Sequence, residues 1–309
     1  MMGTRGSHFR WVVSVLGLLV GCGCDGVSQP TPGHIATSVP SQAVNDGTVA
    51  VIRIRLKDDP SAEQTSGISD WLSAQGQNAN KGIWLAKNLR DVGVTTVLIG
   101  VPSDERFLED VGMYVGGTPG LAQEKVEGAL VRTGGIAIGV GAAALTVVPV
   151  GNGWYYIGLN GDGVIDGAST SVAASFSDLL ALVGDRPAAI VFPVSDLEES
   201  VSVVTFPNQS RLFRRIRALT ESVDEAIGWA GTLSPASTPE LLVFFSDPTS
   251  AQAFSASVTA IRNDMELAVQ GSLEQQEISP QEAEADLRFI RQFDVQVQGN
   301  TARLVVPGM

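Results

Sequence analysis

Histidine and cysteine are almost missing from this 309-residue chain, which holds two of each. Cys22 and Cys24 stand together near the N-terminus, so the body that follows has no disulfide and no thiol nucleophile. His8 and His34 also precede the body, which leaves no imidazole there for a Ser–His–Asp relay. Zinc centres are built mostly from Cys and His, so the same scarcity argues against that metal. Lysine stops at Lys125. Carboxylates are the general acids and bases that remain. The runs Asp104-Glu105 with Glu109-Asp110, and Asp196 with Glu198-Glu199, follow predicted strands in polar surroundings, where solvated loop acids are the expectation. The reading is of a protein with no catalytic residue, no metal and no cofactor.

Basic charge is scarce too: 20 Lys and Arg stand against 33 Asp and Glu, a net charge of −13. Phosphate binding relies on Lys and Arg, so nucleic acid is excluded as a partner, and anionic headgroups should be repelled. Long apolar runs are lacking as well. The one near the N-terminus, Trp11 to Val20, has about half of the ~20 residues that a membrane-spanning helix needs.

What is present begins with that run. Arg5 and Arg10 precede it, and Leu19-Val20-Gly21-Cys22 closes it. A basic start, a short apolar middle and small residues at the end are the layout of a secretory signal. An apolar residue, then a small one, then Gly directly before Cys resembles the lipobox of bacterial lipoproteins. The resemblance implies removal of residues 1–21, a diacylglyceryl group on the Cys22 thiol, and a protein held at a membrane facing the periplasm. Gly23 after the cysteine, where Asp is absent, implies the outer membrane. Loss of Arg5 and Arg10 would leave a net charge of −15. Residues 22–47, with Pro30, Pro32 and Pro40 among Ser, Thr and Gly, show no helical or alternating period and read as a tether.

From Thr48 onward the chain reads as two similar halves. In the first, residues 48–166, Ile52, Ile54 and Leu56 alternate with Arg53 and Arg55 in a strand. A helix around 80–92, a strand over 94–101, a helix near 121–131 and a hairpin of 144–150 with 154–159 follow. A helix over 169–183, carrying Val172, Phe176, Leu179, Leu180 and Val183, occupies the connection 167–186. The second half, 187–309, repeats the order: strand 188–194, helix 210–229, strand 241–245, helices 250–269 and 280–289, and a hairpin of 295–297 with 302–306. The turn pairs Gly151-Asn152 and Gly299-Asn300 match, since both residue types tolerate the positive φ of tight hairpins. The fold class is α+β, with two lobes resembling split β-α-β, ferredoxin-like units on mainly antiparallel sheets; the rival arrangement is one continuous mixed sheet shared by both halves.

Few motifs carry chemistry. Asn160-Gly161-Asp162-Gly163-Val164-Ile165-Asp166 looks like part of a calcium loop. Placing Gly163 at the turn puts Gly158 and Ser169 where the first and closing carboxylates belong, so a polar turn is expected. Gly139-Val140-Gly141 partly echoes a dinucleotide-binding run, but a strand follows it and not the required helix. Arg211, Arg214 and Arg215 stand out in an acidic chain. Beside an apolar stripe of Leu212, Phe213, Ile216 and Leu219 they would face outward as a partner contact. Trp84 and Trp229, in matching helical regions, are expected in the core, and Tyr155 opposite Trp154 and Tyr156. The expected role is a non-enzymatic interaction or envelope-assembly component. The alternative is a small-ligand or peptide binder using a cleft between lobes.

Overall fold

The computed structural model describes residues 38–56, 59–102, 111–118, 120–134, 136, 138–139, 144–159, 165–193, 226–233, 239–291 and 294–305. Strands β1 (Thr48–Arg55), β2 (Val94–Pro102), β3 (Met113–Gly117), β4 (Thr146–Gly151) and β5 (Trp154–Gly158) come from the first half. The second supplies β6 (Ala188–Pro193), β7 (Ala226–Leu233), β8 (Pro239–Phe245), β9 (Asp294–Gln298) and β10 (Thr301–Val305). Between them run helices α1 (Ser66–Ala74), α2 (Gly82–Asp91), α3 (Gln123–Arg132), α4 (Thr170–Val183), α5 (Pro248–Glu274) and α6 (Pro280–Arg291). The protein is α+β, and every strand pairing among the described residues is antiparallel.

All ten strands lie in one sheet, in the order β4-β5-β3-β2-β1-β6-β7-β8-β10-β9. Read outward from the centre, β1-β2-β3-β5-β4 on one side has the same succession as β6-β7-β8-β10-β9 on the other. The halves join where β1 pairs with β6, from Val51↔Val191 to Ile54↔Ala188. Two expectations are corrected here. The lobes share one sheet, as in the rival arrangement but with antiparallel pairings in place of mixed ones, and the split β-α-β arrangement is not the one adopted. That arrangement leaves a gap between the two strands joined by a helix, whereas β1 and β2 are direct antiparallel neighbours.

Period-2 alternation assigns each strand's side chains to two faces. On one face, Ile54, Val97, Ile99, Val115 and Ile157 meet Trp71 of α1, Leu85 and Leu89 of α2, and Val126 and Leu130 of α3. Farther along that face, Val243, Phe245 and Ala302 meet Ala251 and Phe254 of α5. The opposite face is covered at its middle by α4, whose Phe176, Leu179, Leu180 and Val183 pack on Val51, Leu98, Val191, Ala230 and Phe244. This cluster draws from both halves.

Residues 38–47 correct the reach of the expected tether. They form a packed arm: Val39, Ala43 and Val44 are buried against α4 and the sheet. The Val39 amide donates to Ser177 Oγ at 2.9 Å and the Tyr114 hydroxyl to the Gln42 carbonyl at 2.7 Å. The apolar triplet was hidden among turn-forming residues. Helix 210–229 is also corrected at its end, because Ala226–Leu233 is strand β7. Gly228 and Gly231 weaken a helix, and Gly228 is needed bare. A Cβ there would lie 2.5 Å from Leu179 Cδ2 and 2.9 Å from the Phe192 carbonyl. The two hairpin turns differ as well. In the first, Gly151 pairs with Trp154, so Asn152 and Gly153 make the turn, both at positive φ. In the second, Gly299 and Asn300 do, with Gly299 at φ +57°.

Candidate functional site

Cys22, the Arg211, Arg214 and Arg215 cluster, both acidic runs and residues 160–164 of the calcium-like stretch lie outside the described residues. Ile165 and Asp166, which end that stretch, serve structure. The Ile165 amide donates to the Gln42 carbonyl at 3.3 Å, and Asn45 Nδ2 donates to the Asp166 carbonyl at 2.8 Å. Ahead of β4, Ile138 bridges Leu145 around the glycine run. Among the described residues no group of three or more His, Cys, Asp or Glu could hold a metal ion, and no helix is long and apolar enough to cross a membrane.

The aromatic residues divide as the strand period demands. Trp154 and Tyr156 are buried on the α4 face, with Tyr156 edge-on to Tyr114, while Tyr155 packs on the other and donates to the Leu121 carbonyl at 2.7 Å. Trp229 stacks on Phe192 at 4.0 Å, from a strand and not a helix. Trp84 overturns its expected place: on α2, where Leu85 and Leu89 face the core, it is 63% exposed.

Sequence reasoning missed the densest charged group. Arg53 and Arg55, on the α4 face of the central strand β1, are 1% and 3% exposed. Arg53 Nη1 donates to the Leu180 carbonyl at 3.0 Å, and its Nη2 to the Gly184 carbonyl at 2.8 Å. The last carbonyls of α4 have no intrahelical partner and carry the negative end of its dipole, so a guanidinium there satisfies both needs. Arg55 Nη1 pairs with Asp185. Beyond them Glu240, on β8 and buried, is held between Arg186 Nε at 2.9 Å and Arg303 Nε at 3.0 Å. Burial, with Arg55 beside it, lowers the Arg53 pKa to about 10, and Asp185 works against that shift. Arg53 stays charged at neutral pH. These groups fasten α4 to both halves of the sheet. Most of their charged hydrogens go to carbonyls and carboxylates, while Arg53 Nε and Arg55 Nε are buried without a hydrogen-bond partner among the described residues.

An open depression of about 330 Å³ lies where the arm crosses the β4–β5 turn and the start of α4, lined among others by Val39, Gln42, Asn152, Trp154, Thr170 and Ser177. None of the described residues that line it is charged. Where a cleft between lobes was expected, the β1–β6 pairing makes a hydrogen-bonded seam.

No family model matches the chain, and no curated protein matches it. Among solved structures, crystal form I of TP0453 is similar at 9% identity over 88% of this chain and 93% of that one, with a TM-score of 0.34.

Proposed function

We propose that this chain is an exported lipoprotein of the cell envelope, anchored through Cys22, which acts by protein contact and not by catalysis. The observation that carries the reading is Leu19-Val20-Gly21-Cys22 placed directly behind an apolar run and two arginines. The packed arm bounds how far such an anchor could lie from the body. Residues 22–37 lie in sequence between Cys22 and the arm, and their contour bounds that distance at roughly 55 Å, at ~3.3–3.6 Å per residue. Facing the periplasm from the outer membrane, such a body would present its surface close to the bilayer. Arg211, Arg214 and Arg215 are the proposed contact for an acidic partner. The matched strand succession supports descent of the two halves from one duplicated α+β unit.

The test is membrane fractionation and intact mass of the protein from its native envelope, beside a Cys22→Ser form, with in-cell crosslinking of both. A chain starting at Cys22 and carrying a diacylglyceryl mass is expected, with a crosslinked partner that is lost in Cys22→Ser. A soluble protein cut elsewhere would overturn the anchor, and recovery of the protein alone would overturn the contact role. The ligand-binding alternative draws on the depression beside the arm, whose described lining residues carry no charge. A ligand there would raise the melting temperature by mass action.

A further inference from the structure

The two ends of the sheet are treated differently. At the β4 edge, the register with β5 turns the backbone of Val147 and Pro149 outward. Pro149 has no N–H to offer, and the Val147 carbonyl is occupied by Gln123 Nε2 of α3 at 2.9 Å. That edge is closed against another strand. The β9 edge has no such device among the described residues. The turn at Gly299-Asn300 makes Gln298↔Thr301 a hydrogen-bonded pair, so Gln296 and Asp294 also bond to β10 while Val295 and Val297 point their N–H and C=O groups away from it.

The sequence of β9, Asp294-Val-Gln-Val-Gln298, is self-complementary about Gln296. Laid antiparallel on a second copy with the two Gln296 residues opposed, it sets Val295 of each chain against Val297 of the other. Both pairs fall in the hydrogen-bonded register that the outward groups require. The strand's one carboxylate, Asp294, then faces the Gln298 amide and not another carboxylate, so no like charges oppose. Valines meet valines on the α5 face, Gln296 meets Gln296 on the other, and Gln296 already lies beside Arg303 Nη1 at 3.2 Å. We propose that the β9 edge is a homodimer interface, at which two copies of this chain join their sheets in that register. This rests on no residue of the anchor, and a Cys22→Ser form should pair equally well.

The full chain, purified in detergent, would be followed by sedimentation at increasing concentration. A reversible dimer is expected. Val297→Pro removes one outward N–H from each copy and leaves the β10 ladder intact, so it should weaken the dimer about thirtyfold at two ordinary hydrogen bonds. Gln296→Glu opposes two carboxylates at the symmetry axis while keeping a partner for Arg303, and should weaken it several-fold, more so at low salt. Gln296→Cys should form a disulfide-linked dimer on mild oxidation, because residues opposed at such an axis have Cα atoms ~4.5 Å apart. Thr146→Cys on the closed edge should not, above the wild-type background of Cys22 and Cys24. A monomer at every concentration with no Gln296→Cys crosslink would overturn the proposal. So would a dimer indifferent to both Val297→Pro and Gln296→Glu while each variant melts as the wild type does.

Discussion

Arg53 does what no other residue type could do at its position. A strand at the centre of a two-faced sheet has no solvent side, so a long cationic chain there needs hydrogen-bond acceptors within the protein. The end of α4 supplies them. Arg53→Met would leave the Leu180 carbonyl unpaired and the Gly184 carbonyl with only the 3.5 Å contact from Arg55 Nη1, and a loss of about 1.5–3 kcal/mol in denaturant unfolding is expected. Arg53→Lys should recover little of it, since one ammonium cannot span two carbonyls as a planar fork does. Full recovery by lysine would show that charge alone matters. The arginines were visible in the sequence, and so was the alternation of β1. What alternation cannot reveal is whether the polar side of a strand meets water or a helix end. Trp84 shows the same limit in reverse: helical spacing offers a face to its neighbours Leu85 and Leu89, and the tryptophan falls off that face.

At the scale of elements, strong periodicity or a tight turn was enough. The strands of both hairpins, β1, β2, β6 and β8, and helices α2 to α6 are all legible from pattern and turn chemistry. Helix α1 escaped because it is short and sits in a Ser- and Gln-rich stretch, although Ile68, Trp71 and Leu72 carry the spacing of a buried stripe. Strand β3 escaped because it is short, almost wholly buried and ends in two glycines, so it has no alternation to read. The start of β7 falls within the helical period of 210–229, and its glycines answer to packing and not to propensity. Gly228→Ala should therefore cost about 1–3 kcal/mol by overpacking. Leu179→Ala in the same chain should relieve only part of it, because the Phe192 carbonyl also stands in the way. Helix α5 brings a pH dependence. Asp247 caps it, and the Ser250 hydroxyl and amide, with the Thr249 amide, hold its carboxyl below the usual range. The stabilisation is present above the unfolded value near ~3.9 and is lost as pH falls through the lower folded value. The melting-temperature gap between wild type and Asp247→Asn should thus be wider at neutral pH than in acid. A gap that does not narrow would remove Asp247 from the account.

For the whole molecule, the least legible feature was the choice of partner strand. Periodicity makes β1 and β6 strands, but nothing local says that they pair with each other, and a chain of two similar halves is as easily drawn with two sheets. Their pairing and the shared cluster under α4 make one cooperative body. A single unfolding transition, coincident by near-ultraviolet and far-ultraviolet circular dichroism, is expected; two separated transitions would mean that the halves melt independently. Neither the buried arginines nor the unequal edges could be located before that topology was known, because each is defined by what lies beside it.

Under the proposed anchor at Cys22, the place of the packed arm sets where the chain would be held. The arm crosses the outer strands of the first half, near β3 and the β4–β5 turn, far along the sheet from β9. Two copies joined at β9 would therefore keep their arms at opposite ends, some fifteen strand spacings apart, or about 70 Å of sheet at ~4.8 Å each. Tied down at both ends with its join in the middle, the pair would lie along the bilayer like a footbridge on two piers.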